Sequence, residues 1–202
     1  YNADVRNLNY PVQLAAQERG STACDLLYAA TKEEYTYSPE NEPHISLNFT
    51  HRLAKVILKF VNMEKEPLEV SDVRIEGMQT AASFNIQTDV LTVDESSVAT
   101  INPYHNATTG FYEAIILPSA LTDSYKVSFI LDDREKEWIF TNLDIALPQF
   151  HKGYSYTFAL YIDDSGFVEM GRLENVEGGN SSAPWEGGSS EDGTSDGDKT
   201  PV

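Results

Sequence analysis

Cysteine is almost missing from these 202 residues, with Cys24 standing alone. One thiol closes no internal disulfide, and with no histidine beside it builds no metal site, so burial must hold the fold together. Basic residues are scarce as well: 14 Lys and Arg face 32 Asp and Glu, for a formal net charge of −18. A surface of that sign repels phosphate backbones and anionic lipid, which argues against nucleic acid as a partner. From Gly171 onward there are seven acids and two bases, so a net −13 belongs to the body of the chain. No run approaches the roughly 18–20 apolar residues that cross a bilayer as a helix. No window sustains an apolar period of about 3.6 residues either, and only Val12–Glu18 reads as a short helix. The start, Tyr1-Asn2-Ala3-Asp4-Val5-Arg6, has no initiator Met, basic region or apolar stretch of a signal peptide, and reads as a mature or trimmed chain. Ser21-Thr22-Ala23-Cys24 has the outline of a lipoprotein cleavage site. The polar Gln17-Glu18-Arg19-Gly20 before it supplies no apolar feed, and Cys24 reads as a loop or partly buried thiol.

Catalytic signatures are missing too. No Gly-x-Ser-x-Gly elbow frames a nucleophile, and no glycine-rich loop cradles phosphate. The histidines, 44, 51, 105 and 151, show no helical zinc spacing. Asp132-Asp133 and Asp163-Asp164-Ser165-Gly166 carry oxygens for calcium but lack the further carboxylate at fixed spacing that a calcium loop needs, and read as solvated turns. Carboxylate pairs are many among 32 acids, as random pairing explains. The expectation is a protein that is not an enzyme and holds no metal and no cofactor.

What is present is a chain of short strands. Tyrosine, at 11 residues, suits half-buried sheet faces. Ile45, Leu47 and Phe49 alternate with polar residues; then Ala54, Val56, Leu58 and Phe60 alternate in the opposite phase. A one-residue slip turns every side chain to the other face, so His51–Leu53 needs a bulge or bend, or the two runs meet different cores. Strands follow at Leu68–Ile75, Ala82–Ile86, Val90–Val93, Val98–Ile101 and Phe111–Leu117, the last nearly all apolar and stopped by Pro118, as an interior strand would be. Gln87-Thr88-Asp89 is short enough for a hairpin. Tyr125–Leu131 pairs with Trp138–Leu143 across a polar Asp132–Glu137 turn, and Tyr154–Ile162 is followed by Phe167–Leu173. Nine or ten such strands predict an all-β, Greek-key β-sandwich.

The organisation expected is a remnant of a preceding domain with its exit segment (residues 1–30), a linker (31–43), the sandwich (44–173), and a Gly/Ser/Asp tail with Trp185 (174–202). That tail buries too little apolar surface to offset its ordering entropy. His51 reads as a structural histidine. Lys55 and Lys59 read as marks of a solvated face or a guarded edge. Trp138, Tyr154, Tyr156 and Tyr161 offer a sugar-stacking row, against the plainer reading as core and face fillers.

Taken in order, several stretches resemble the fimbrillin family of Bacteroidales surface pilus and adhesin-like proteins. They are Asp25-Leu26-Leu27-Tyr28-Ala29; Leu47-Asn48-Phe49-Thr50-His51-Arg52-Leu53-Ala54-Lys55-Val56; Val73–Met78; Ala114–Pro118; Gly153-Tyr154-Ser155-Tyr156-Thr157-Phe158; and Pro184-Trp185. The resemblance covers about residues 10–186, mostly the family's C-terminal domain. It makes Phe49, His51, Leu53, Ala54, Lys55, Gly153, Tyr154, Tyr156 and Trp185 structural motif residues. It implies a transthyretin-like sandwich displayed outside the cell on the outer-membrane surface, with a lipid anchor that this chain does not carry. It also implies a fimbrial subunit, or an accessory, anchor or tip protein, acting in adhesion. Its partners would be other fimbrial subunits, met by strand donation, and a host or bacterial surface receptor. The ending departs from an alternating apolar donor strand. The competing expectation is an extracellular carbohydrate-binding β-sandwich module.

Overall fold

The computed structural model describes residues 8–17, 24–31, 45–63, 68–143, 147–163 and 168–178, with side chains of the last stretch described for 171–174. The fold is all-β. In chain order the strands are β1 (Asn9–Gln13), β2 (Leu27–Tyr28), β3 (Thr50–His51), β4 (Ala54–Asn62), β5 (Val70–Glu76), β6 (Ala81–Asn85), β7 (Val90–Val93), β8 (Tyr104–Asn106), β9 (Phe111–Ile116), β10 (Ser119–Ala120), β11 (Lys126–Leu131), β12 (Arg134–Ile139), β13 (Gln149–Phe150), β14 (Tyr154–Ile162) and β15 (Val168–Gly178).

A five-stranded sheet, β15-β14-β4-β9-β8, faces a three-stranded sheet, β12-β11-β5. The long strands β4 and β14 run parallel at its centre, in the register Ser155↔Lys55 to Ile162↔Asn62. Their inward positions, Val56 and Leu58 from one and Tyr156, Phe158 and Leu160 from the other, share a core with Val73, Ile75, Val127, Phe129, Leu131 and Trp138 of the facing sheet. Side chains from two inner faces filling one layer is the sandwich arrangement. Phe140, Phe150 and Phe158 meet edge to face inside it.

A second, smaller core lies on the other side of β9. Ile115 points there because its neighbours Ala114 and Ile116 point into the main core. Val12, Leu14, Leu53, Ala82, Phe84 and Leu117 join it, under the sheet β1-β6-β7. The early residues thus wrap onto the body: β1 pairs antiparallel with β6, from Asn9↔Asn85 to Gln13↔Ala81. This overturns the helical reading of Val12–Glu18 over its described residues 12–17: Val12 and Gln13 belong to β1 and the rest form no helix, because a ladder partner outweighs a weak local preference. Gln17 completes the tie. Its buried side-chain amide donates to Ile115 O at 2.6 Å and accepts from Ile115 N–H at 2.8 Å, serving β9 where β8 has ended.

Other expectations needed correction. Ile45–Phe49 forms no strand, and pairing begins only at Thr50, for two residues. Alternation makes a segment able to pair, but a strand needs a ladder, and none of the described residues supplies one there. The phase slip at 51–53 is the chain leaving β3 for β4, with Leu53 in the small core and Ala54 in the large one. The β11–β12 turn is two residues long, Asp132 and Asp133, both at positive φ. The returning strand is therefore the charged Arg134–Ile139, and only Trp138 and Ile139 of the expected strand belong to it. Val98 and Ile101 make single bridges rather than a strand. The final strand continues to Gly178, past the expected end at Leu173. The β6–β7 hairpin and interior β9 are as expected. Trp185 and the turn at 164–166 lie outside the described residues.

Candidate functional site

The stretch Thr50–Lys55 is where separate parts of the chain are fastened together. Gly153 N–H donates to Leu53 O at 2.7 Å, immediately before β14 runs alongside β4. Gly153 sits at φ +77°, a left-handed conformation in which a side chain is strained, and an added Cβ would rest 3.4 Å from His51 O. His51 Nδ1 lies 2.7 Å from Asp25 Oδ2, and Arg52 N–H donates to Leu26 O at 2.9 Å. The Arg52 guanidinium forms an ion pair with Asp89: one terminal nitrogen donates to Oδ2 at 2.9 Å, and Nε lies 2.6 Å from Oδ1. It also lies 5.0 Å above the Tyr28 ring, whose hydroxyl donates to Ile86 O. Segments around residues 25–28, 86–89 and 153 therefore converge on one six-residue run. Asp89 meets the guanidinium from a hairpin turn, where its φ is +56°.

The other motif residues fall as follows. Phe49 is 55% exposed, and with Ile45 and Leu47 forms an apolar ladder open to solvent. Leu27 on β2, 50% exposed, adds to the apolar surface of the pair β2–β3. Ala54 is buried in the main core. Tyr154 is half-buried against His151, and the buried Tyr156 hydroxyl accepts from His151 N–H at 2.8 Å. Burial pushes the Tyr156 phenol above its ordinary range. Lys55 is 3% exposed and lies 2.8 Å from Glu113 Oε2. The expectation of a solvated lysine face is wrong for Lys55, because β4 is an interior strand with a sheet neighbour on each side and this part of its outer face is covered. Lys59, further along, does reach the surface, pairing with Glu174 at 2.8 Å above the Phe111 ring.

The sugar-stacking row does not form. Trp138 and Tyr156 are core residues, and the Trp138 indole is committed to Asn142 O and to the surface of Gly171. A cleft of about 440 Å³ opens between Phe60, Leu68, Val70, His105 and Tyr112. His105 stacks on Tyr112 at 4.6 Å, and the Tyr112 hydroxyl donates to Val70 O at 2.8 Å. The cleft brings no nucleophile beside a base. Among the described residues no three His, Cys, Asp or Glu side chains gather to hold a metal ion.

The sheet edges are unequal. β12 presents Arg134, Glu135, Lys136 and Glu137, a charge pattern that discourages further pairing, and Glu137 and Glu135 are engaged by Lys126 and Arg74. Among the described residues β15, eleven residues long, pairs along its length with β14 and has a single bridge from Leu143 at Gly171 on its other side. Sequence reasoning found the Asp25–Ala29, Leu47–Val56 and Gly153–Phe158 stretches, but not that Asp25 meets His51, nor the partners Asp89 and Glu113. Isolated acids in an acidic chain carry no local mark of what they will meet.

Solved structures similar to this chain include two proteins of the genus Bacteroides. One is a proposed cell adhesion protein from Bacteroides uniformis, 23% identical, with a TM-score of 0.71, covering 87% of this chain and 67% of that one. Another is a proposed cell adhesion protein from Bacteroides ovatus, 16% identical, with a TM-score of 0.52, covering 66% of this chain and 48% of that one. At these identities the likeness is one of fold. No curated protein matches the sequence. The model of the family described as fimbrillin-like matches residues 1–185, and the chain accordingly belongs to the fimbrillin-like family.

Proposed function

We propose that this chain is a cell-surface fimbrial subunit, or an accessory, anchor or tip protein of a fimbrium, that joins other subunits by strand donation and acts in adhesion. The family match over residues 1–185 carries the reading. Its neighbours in fold, both proposed cell adhesion proteins, agree with it. The apolar ladder Ile45, Leu47 and Phe49, alternating and half exposed, supports the mechanism. Strand addition takes its affinity from main-chain hydrogen bonds and its register from alternate side chains. A segment with that alternation and no ladder partner among the described residues is the right kind of element. Display on the outer-membrane surface belongs to the same reading.

The test is to mix the purified chain with cognate subunits and run the mixture unheated in SDS. Oligomers resistant to the detergent are expected. A chain that stays monomeric with every cognate subunit overturns assembly by strand donation.

A further inference from the structure

The cleft of about 440 Å³ is lined from both facing sheets: Phe60, His105 and Tyr112 come from the five-stranded one, and Val70 begins the edge strand β5 of the other. Two of its walls are aromatic. The Phe60 and Tyr112 rings stand 5.7 Å apart at 89°, which makes a right-angled corner. Contacts fix both rings. Phe60 packs on the core ring of Phe129 at 4.9 Å, while Tyr112 is stacked by His105 and tied through its hydroxyl to Val70 O. The strand end that carries His105 is braced as well: the Asn106 amide donates to Glu113 Oε1 at 3.0 Å and accepts from Thr108 N–H at 3.0 Å. The corner therefore stands before any ligand arrives, which spares the ordering cost of binding.

The fixed charge in the lining is of one sign. Glu69 is an exposed residue of the wall, and among the described residues no hydrogen bond or ion pair engages its carboxylate. No described Lys or Arg lines the cleft. The chain as a whole, at −18, draws cations toward such a place. One carboxylate and one imidazole are too few to hold a bare metal ion, and no group of three ligating side chains gathers among the described residues. Ring faces beside a lone carboxylate suit a cation clothed in carbon, because the ring quadrupole attracts positive charge while the same face accepts methyl and methylene groups.

We propose that this cleft binds a small organic ammonium ion of the choline type, seated against the rings of Phe60 and Tyr112 with Glu69 as its counter-charge. The cleft falls within the size range of small-molecule sites, which begins at about 300 Å³. Anions meet the Glu69 carboxylate and are repelled. A neutral sugar would use the ring faces but leave that charge unanswered. The inference stands on the cleft alone and not on strand donation or fimbrial assembly.

The test titrates the isotopically labelled full chain with choline, and separately with dimethylbutanol, its uncharged carbon counterpart, at constant ionic strength, following backbone amide shifts by NMR. Choline is expected to move amides of residues 60–62, 68–70 and 105–112 saturably. The neutral counterpart should bind roughly tenfold more weakly or worse, since positive charge is what the rings and the carboxylate recognise. Glu69→Gln, at an exposed position, should weaken choline by about the same factor, and Phe60→Leu, which keeps an apolar wall without a ring face, should weaken it several-fold. Equal binding of dimethylbutanol overturns the proposal, and so does a choline affinity unchanged in Glu69→Gln. Shifts spread over the acidic surface, no saturable shift at all, or tighter binding of glucose than of choline overturn it as well. The comparison of choline with its neutral counterpart on the wild-type chain decides the matter even if Phe60→Leu folds poorly.

Discussion

The amide of Gly153 reaches the carbonyl of Leu53 at 2.7 Å, although the two residues lie one hundred positions apart. That bond is where the two most recognisable stretches of the sequence meet. It sets β14 beside β4 in parallel register, and from it the centre of the large sheet is built.

Gly153→Ala should weaken the fold by about 1–2 kcal/mol, since a Cβ at φ +77° is strained before it meets anything. Urea unfolding should show a lower midpoint with an unchanged slope.

Gly171→Ala should cost about 1–3 kcal/mol through overpacking. Its Cβ would stand 2.0 Å from Cζ2 of Trp138, whose indole is packed in the core, so strand or indole must shift. A lowered melting temperature with an altered tryptophan emission is the expected signature, and an unshifted melt would contradict the placement of β15 against Trp138.

Acid should act partly through Glu76. The Ser128 hydroxyl, and after it Lys126, hold this carboxyl below its ordinary range. A group depressed in the folded state contributes stability above its unfolded value. That contribution falls away as pH drops through the unfolded value and is gone below the folded one. Ser128→Ala should therefore reduce stability at neutral pH more than at strongly acid pH, as followed by urea midpoints across the acid range.

Leu47→Ser and Phe49→Ser should change monomer stability by no more than about 0.5 kcal/mol, because both side chains stand about half or more in solvent. Both should lose the detergent-resistant oligomers expected with cognate subunits. Oligomers that persist in the double variant would place assembly elsewhere on the molecule.

Much of this structure was legible residue by residue. The alternation in Tyr154–Ile162 and Ala54–Phe60 is a local property, so the strands and their buried faces follow from it. Pro118 and Asp132-Asp133 marked where strands end. Charge could not be read the same way. Lys55 looked like a solvated lysine because its covering and its glutamate lie far along the chain, and Arg52 gave no hint of Asp89. Ile45, Leu47 and Phe49 misled in the other direction, since their alternation equals that of a paired strand and only the absence of a partner among the described residues distinguishes them.

The sequence by itself determined that the chain is all-β, which strand faces are apolar, and that it carries the ordered stretches of its family. Period-two patterning and turn residues act over a few positions, so no tertiary information is needed to see them. Only the tertiary structure decided that the early residues wrap onto a second core, that Gln17 serves Ile115 across 98 positions, and that Glu113 joins a lysine to an asparagine. Such contacts depend on which distant segments the chain closes against one another. That choice is settled by the total burial of the whole fold and not by any window of the sequence.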